Sequence, residues 1–465
     1  MLVQEVEFDA SPAELFGALC DLPGSFFLDS ALAADGLGQF SFFGCDPFLT
    51  FRASGDVVTL TRGGQTETRR SDPLLELREL VQRHRAPAAA ALPFAGGAVG
   101  YFSYEFGQRF ERIARTSPDD LGVPEMEFGF YNAVLAFASD TGRAFVAANL
   151  ADPSDERTLA QKLERTVRDA LARGPRPRPE PPPRTAVGPP RSNFTKEEYL
   201  RAVARIKDYI RAGDVYQVNL SQRFEASLPG HPYELYRRLR RLSPAPFASY
   251  LNLGGRQIVS CSPERFLRLQ NGRVETRPIK GTRPRGANAT EDAALRQQLV
   301  ASEKDRAELL MIVDLERNDL GRVCEVGSIR VDEIYRLETH PTVFHLVASV
   351  SGKLPAQADV FDCLRAAFPG GSITGAPKIR AMQIIDELEP HRRHLYTGAI
   401  GYLGFDGNCD LNIAIRTILC ASGRAYYHVG GGIVWDSDPE SEYQETLDKG
   451  RAMHAALAGQ PPFMP

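Results

Sequence analysis

Lys280 and its neighbours carry the strongest chemical signal in the chain. They form the run Thr276-Arg277-Pro278-Ile279-Lys280-Gly281-Thr282-Arg283-Pro284-Arg285-Gly286. A lysine between a Pro-Ile lead-in and a Gly-Thr turn has little local freedom, and Arg283 and Arg285 follow closely. Positive neighbours and burial both disfavour the protonated ammonium. A lysine shifted in this way is a nucleophile rather than a solvated cation. A basic surface turn, or a turn that binds an anion without chemistry, accounts for the same residues.

Acidic residues form two further groups. Glu442 and Glu445 stand three apart near the start of the last helical segment, so both project from one face. Asp305 and Glu308 have the same spacing in an earlier helical stretch. One carboxylate from each helix, completed by water and substrate oxygens, suits Mg²⁺, which rarely has an all-protein cage. Acidic residues near a helix N-terminus also serve helix stability alone. Glu264, in Cys261-Ser262-Pro263-Glu264-Arg265-Phe266, would work as a general acid or base if partly desolvated. An ion pair with Arg265 is the plainer reading. Arg416 follows the alternating run Leu411 to Ile415, which places it on the small, polar face of a strand. An arginine there grips a carboxylate with two parallel hydrogen bonds, or makes a surface ion pair. Gly430-Gly431-Gly432 brings backbone N–H groups close to an anion, or forms a bulge. His340 and His345 stand singly and read as structural. Gly370 and Gly375 have phosphate-loop spacing, but Ala376 stands where a P-loop needs lysine.

These residues need a frame. Thr195 and Glu198 form a capping box for a helix to about Arg211. Residues 215–224 read as a strand, with Tyr216 and Gln217 on opposite faces. Residues 302–313 and 359–368 read as helices, and Pro377 suits the first turn of another. Strands follow at 397–404, 411–419 and 425–429, then a helix from about Pro439. Upstream, 40–44, 57–60 and 96–102 read as strands and 159–171 as a helix. Gly174 to Ser192 is too rich in proline for either and reads as a linker between residues 1–173 and 193–460. Strands and helices come in clusters, which favours α+β. The 465 residues, 43% hydrophobic and 25% charged with net charge -4, describe a globular chain without the basic surplus of a nucleic-acid binder. No apolar run reaches the ~20 residues of a membrane span, and the acidic N-terminus lacks signal-peptide features. Seven scattered cysteines without a Cys-x-x-Cys pair argue against disulfides and zinc and fit a reducing cytoplasm.

Taken together, several ordered runs resemble the chorismate-utilising enzymes. They are Gly213 to Phe224, Ser262 to Glu264, Pro278 to Gly286, Glu308 to Asp319, Phe368 to Met382, Ile415 to Thr417 and Gly430 to Lys449. The N-terminal part matches more loosely, through 43–47 and 96–104. The resemblance implies a layered α/β/β/α fold of orthogonally packed antiparallel sheets flanked by helices, its N-terminal and catalytic parts intertwined. It implies Mg²⁺ held by Glu308 and Glu445, with Asp305 and Glu442 close by or bridging through water. It further implies that Arg416 and Tyr396, with N–H groups of Gly430, Gly431 and Gly432, bind the enolpyruvyl carboxylate of chorismate. Thr282, His345, Ser372 and Lys449 would contact substrate, and Glu264 would be the acid or base.

Within that family Lys280 selects the branch. The aminodeoxychorismate synthase branch carries lysine here and the anthranilate branch usually alanine, so the resemblance implies covalent attack by Lys280 and amination at C4, a step towards para-aminobenzoate and folate. Gln217 stands where the water-using branches place a lysine, which supports ammonia as the nucleophile. No cysteine sits in a Gly-x-Cys-x-Gly setting, so a separate glutamine amidotransferase is expected to supply that ammonia. Anthranilate formation, and a non-catalytic tryptophan-sensing subunit, are the alternatives. Phe26-Phe27-Leu28-Asp29-Ser30 departs from the Leu-Leu-Glu-Ser segment of feedback-inhibited relatives, which puts tryptophan binding in question.

Overall fold

A computed structural model describes residues 1–32, 36–88, 92–149, 153–174, 188–340 and 343–459. The proline-rich linker expected at 174–192 therefore lies largely outside the described residues. Two antiparallel sheets of twelve strands each form the centre. Both draw strands from either side of residues 174–192. In the first sheet, Phe26–Asp29 pairs with Phe247–Asn252. In the second, Gly97–Phe102 pairs with Ala399–Gly404.

The layering follows from where the apolar side chains go. Phe42, Tyr101, Ile258, Tyr402 and Leu419 pack between the facing sheets. Helices Pro12–Leu19, Pro232–Leu242 and Pro439–Leu457 cover the outside of the first sheet through Phe16, Tyr236 and Met453. Helices Pro73–Arg83, Glu303–Gly321 and Val360–Ala367 cover the second through Leu77, Val313 and Leu364. The central strands of each sheet are thus covered on one face by the other sheet and on the other by helices, the layered arrangement that the resemblance implies, while the outlying strands Gln65–Arg70 and Arg330–Thr339 stay largely exposed.

Local signals set several boundaries. Thr195 and Glu198 form the capping box that opens Lys196–Arg211. Asp438 caps Pro439–Leu457, with Pro439 in its first turn. Pro377 is the N-cap of Lys378–Leu388 rather than its first helical residue. The expected strand over 411–419 is a correction. Cys409–Asn412 belongs to the second sheet and Thr417–Ala421 to the first, so 413–416 crosses between layers. Arg416 there has φ 49°, in the left-handed region, and Ile413 and Ala414 are both buried. Alternation fails because this segment is enclosed on both sides.

One buried ion pair ties the site-bearing pieces together. Arg393 donates to both Glu389 oxygens at 2.8 and 2.7 Å, to Ile373 O at 3.1 Å and to Asn219 O at 2.8 Å. Glu389 Oε1 in turn accepts Ser221 N–H at 2.8 Å and Ser221 Oγ–H at 2.9 Å. Arg393→Met strands the Glu389 carboxylate in the interior. Chemical denaturation should show a loss of about 3–5 kcal/mol; a loss below about 1 kcal/mol would contradict this role.

Candidate active site

Glu264 follows strand Arg256–Ser262 and is buried. Ser262 Oγ donates to Ile413 O at 2.6 Å, and Ile413 N–H donates to Glu264 O at 3.0 Å, so the interlayer crossing fixes this corner. Glu264 Oε1 accepts Ser372 Oγ–H at 2.6 Å and Ile279 N–H at 3.4 Å. That second contact brings the carboxylate beside Lys280, the next residue on strand Ile279–Pro284. Burial pushes Glu264 above the ordinary carboxyl range, opposed by Ser372, Lys280, Ile279 N–H and Lys449.

Lys280 is half-buried. Loss of solvent pulls its ammonium below the ordinary lysine range. Glu308 opposes this most, Lys449 adds to it, and Glu264 and Glu445 oppose it further. These four residues come from three separate segments of the sequence, Glu445 and Lys449 sharing the Pro439–Leu457 helix. No hydrogen bond or ion pair engages its amine among the described residues.

Ser302 caps helix Glu303–Gly321, setting Asp305 and Glu308 on its first turns. Glu308 is largely buried, with Lys304 Nζ 3.9 Å away. Burial pushes it up, Lys280 and Lys304 pull it down, and Asp305 and Glu445 push it up again. Glu442 is buried and accepts Ser437 Oγ–H at 2.6 Å; burial, and Glu445 beside it, push it up. Glu445 is exposed but partly desolvated, and Lys449 Nζ 2.6 Å away draws it below the ordinary range against that loss of solvent. Lys449 also donates to Gly430 O at 3.1 Å. Asp305 is engaged elsewhere, paired with Arg283 at 2.9 Å.

The glycine run lies inside strand Arg424–Ile433, in unbroken register with Gln217–Ser227 (Gly430↔Ser221, Gly431↔Leu220, Gly432↔Asn219), so it is not a bulge. Strand Thr417–Ala421 pairs along it only as far as Tyr427, leaving the far edge of the run without a strand partner among the described residues. A Cβ on Gly431 would lie 3.1 Å from Glu442 Oε2 and 3.6 Å from Glu445 Oε1. Glycine there keeps the space above the carboxylates open.

Arg416 is close enough to Glu264 and His345 to shift both partners' charge balance. Its Nη1 reaches Ser243 Oγ only at 3.4 Å. Thr397 N–H donates to Ala414 O at 2.9 Å and Ala414 N–H to Gly398 O at 2.8 Å, setting the Tyr396 segment beside that of Arg416. Tyr396 stacks on His428 with ring centroids 5.1 Å apart. Thr282 Oγ1 and His345 Nδ1 are 2.9 Å apart across paired strands. His345 is buried, burial and Arg416 push its ring towards the neutral form, and its Nε2 has no partner among the described residues.

The sequence profile of the chorismate binding enzymes matches residues 33–455. The chain belongs to the chorismate binding enzyme family. The aminodeoxychorismate synthase component 1 of Klebsiella aerogenes is 43% identical over 442 residues, covering 94% of this chain and 95% of that protein. The anthranilate synthase component 1 of Pseudomonas aeruginosa is 41% identical, covering 97% and 94%. The crystal structure of anthranilate synthase component I from Streptococcus pneumoniae TIGR4 superposes with TM-score 0.76 at 35% identity, covering 91% and 93%. Family membership makes the chain an enzyme acting on chorismate.

For this chorismate binding enzyme, the repulsion that Glu445 exerts on both Glu308 and Glu442 fits a divalent cation, since a shared positive charge is what neighbouring carboxylates favour. Glu308 and Glu445 would hold Mg²⁺, Glu442 would support it, and Asp305 would act from further out. Sequence reasoning did not foresee Asn219, whose Nδ2 donates to Ser372 O at 3.2 Å, or the wholly buried amide of Gln217, without a partner among the described residues. Their signal was present: Gln217, Asn219 and Ser221 alternate on one face, opposite Gly430 and Gly432. Calorimetric titration should show Glu308→Ala weakening Mg²⁺ binding by at least ~10-fold, and Asp305→Asn weakening it less. An unchanged isotherm for Glu308→Ala would remove that residue from the metal set.

Proposed function

We propose that this enzyme aminates chorismate at C4, giving 4-amino-4-deoxychorismate through a covalent adduct on Lys280. The observation that carries this reading is the Lys280 amine: half-buried, shifted towards its neutral form, and surrounded by Glu264, Glu308, Glu445 and Lys449. Relatives named for either branch are almost equally similar, so overall identity favours neither strongly. The residue at position 280 is what separates them.

In this reading Arg416, Tyr396 and N–H groups of Gly430 to Gly432 hold the enolpyruvyl carboxylate. Mg²⁺, when bound, would grip the ring carboxylate and stabilise charge developing as the C4 hydroxyl departs. Thr282, His345, Ser372 and Lys449 line the substrate. Neutral Lys280 attacks C2. The Nζ–C2 bond forms, both ring double bonds shift, and the C4–O bond breaks. Glu264, shifted towards its protonated form by burial, supplies the proton with which hydroxide leaves as water, and recovers one from the new secondary ammonium. Ammonia then attacks C4, the double bonds shift back, and the C2–N bond breaks. The proton shed by the new C4 amine returns to the departing Lys280 nitrogen, and the enolpyruvyl ether is untouched throughout.

The ammonia would come from glutamine through a separate amidotransferase subunit, in the cytoplasm. No helix among the described residues is long and apolar enough to cross a membrane. Tryptophan is a candidate ligand for the cavity between the sheets bordered by Leu28, Asp29, Ser30, Phe42, Tyr402 and Asn412. Asp29 there already binds Tyr236 OH at 2.6 Å and pairs with Arg240. A ligand ammonium would therefore have to displace an arginine.

Incubation with chorismate, Mg²⁺ and ammonium should yield the 4-amino product. Fluorescent anthranilate instead would favour the rival branch, and absence of turnover a silent subunit. Lys280→Ala should lose the 4-amino product and leak towards anthranilate; full retention would sink the covalent step. Because the reactive amine is neutral and Glu264 must carry a proton, kcat/KM should be bell-shaped in pH, with its rising limb below the ~10.4 of free lysine and its falling limb set by Glu264. A profile without a rising limb would contradict the assignment of Lys280. With glutamine in place of ammonium, the chain alone should turn over poorly, and equal use of both donors would exclude the separate amidotransferase.

A further inference from the structure

Glu316 lies on the Glu303–Gly321 helix, roughly two turns beyond Glu308, and is buried. Its Oε1 accepts Gly371 N–H at 3.1 Å and its Oε2 accepts Thr276 Oγ–H at 3.2 Å. Gly371 opens the short turn Gly371–Ile373, whose middle residue, Ser372, donates to Glu264 at 2.6 Å. Thr276 lies on strand Arg273–Arg277, directly before the strand that carries Lys280. One carboxylate therefore fastens to a single helix both the hydroxyl that engages Glu264 and the strand that brings up Lys280.

The fit is close. A Cβ on Gly371 would lie 2.7 Å from Leu315 Cδ2 and 3.2 Å from Glu316 Oε1, so the turn sits directly on the helix. It is also costly. Burial and Asp319 push Glu316 up to about 7, against Lys378, Gly371 N–H and Thr276. Lys378 Nζ contacts Asp319 Oδ2 and Ala367 O, anchoring the following helix to the same place. An apolar residue would fill this space without desolvating a carboxylate, so the acceptor itself is what the position supplies.

We propose that Glu316 is a positioning residue for the reaction: through Gly371 N–H it fixes the Ser372 hydroxyl on Glu264, and through Thr276 it fixes the approach of Lys280. The catalytic part of this rests on Glu264 being the acid–base group. Glu264 is faced by Ser372 from the turn, Ile279 N–H and Lys280 from the lysine strand, Lys449 from the terminal helix and Arg416 from the interlayer crossing. Ser372 is the strongest influence holding Glu264 down against burial. Misplacing Ser372 must therefore raise the pH at which Glu264 ionises.

Infrared pH titration of the full-length protein tests this, following the carboxyl band that Glu264→Gln removes. In Glu316→Met the midpoint should rise by about one pH unit. Ser372→Ala should raise it equally, and the double variant should go no further, as for two members of one chain of contacts. Glu316→Gln keeps an acceptor for Gly371 N–H and should raise it less; the same cycle run with this variant avoids any cavity. In Glu316→Met the pH limb of kcat should follow the band while KM for chorismate stays within about twofold. An unmoved band in Glu316→Met, or a double variant shifted by the sum, overturns the proposal. Bands that move while the kcat limb stays fixed reject Glu264 as the acid–base group, which separates that failure from the first.

Discussion

Charge balance around a desolvated lysine is the constraint on which the site depends. Lys280 loses solvent, which pulls its ammonium below the ordinary lysine range, and Glu308, Glu264 and Glu445 oppose that pull. Glu264, Glu308 and Glu442 are themselves desolvated, and Glu445 repels Glu308 and Glu442, so each requires a cation or a hydrogen-bond donor close by. Lys304, Lys449, Ser437 and Ser372 supply them. Removing any one charge shifts the rest, which couples the nucleophile, the acid–base group and the metal-binding carboxylates.

The two-sheet architecture makes that balance possible. Lys280 comes from the second sheet and the glycine run from the first, while the carboxylates come from one helix on each outer face. The site lies where the layers meet at their edges, and short crossings join them. Arg416, in its left-handed conformation, is one such crossing. Gly431 is another local requirement, since any side chain there would press on Glu442 and Glu445. The buried Arg393–Glu389 pair holds the strand carrying Asn219 against the turn carrying Ser372. Chemistry at the seam is thus paid for by polar contacts that are satisfied within the interior.

Much of the site was legible in the sequence, and for definable reasons. Spacing of three placed Glu442 with Glu445 and Asp305 with Glu308, because helical geometry is local. The Pro-Ile-Lys-Gly-Thr run marked Lys280, because restricted backbone and clustered charge are also local. Arg416 lies near Glu264 and His345, but alternation did not place it there: it suggested one strand, whereas two sheets share the segment. The two readings of the glycine run could be separated only once its partner strand was known. Glu316 was invisible, because its meaning comes from Thr276, Gly371 and, through Ser372, Glu264, which converge only in three dimensions. Gln217 was marked as the position where the water-using branches place a lysine, but nothing local shows that its amide lacks a partner among the described residues.

The most direct test of the account omits ammonia. The enzyme is mixed with chorismate and Mg²⁺ alone, quenched, and digested for mass spectrometry. Chorismate less one water should be attached to the peptide containing Lys280, and ammonium added before the quench should discharge it. A peptide that stays unmodified, or an adduct on any other residue, would contradict a nucleophilic Lys280.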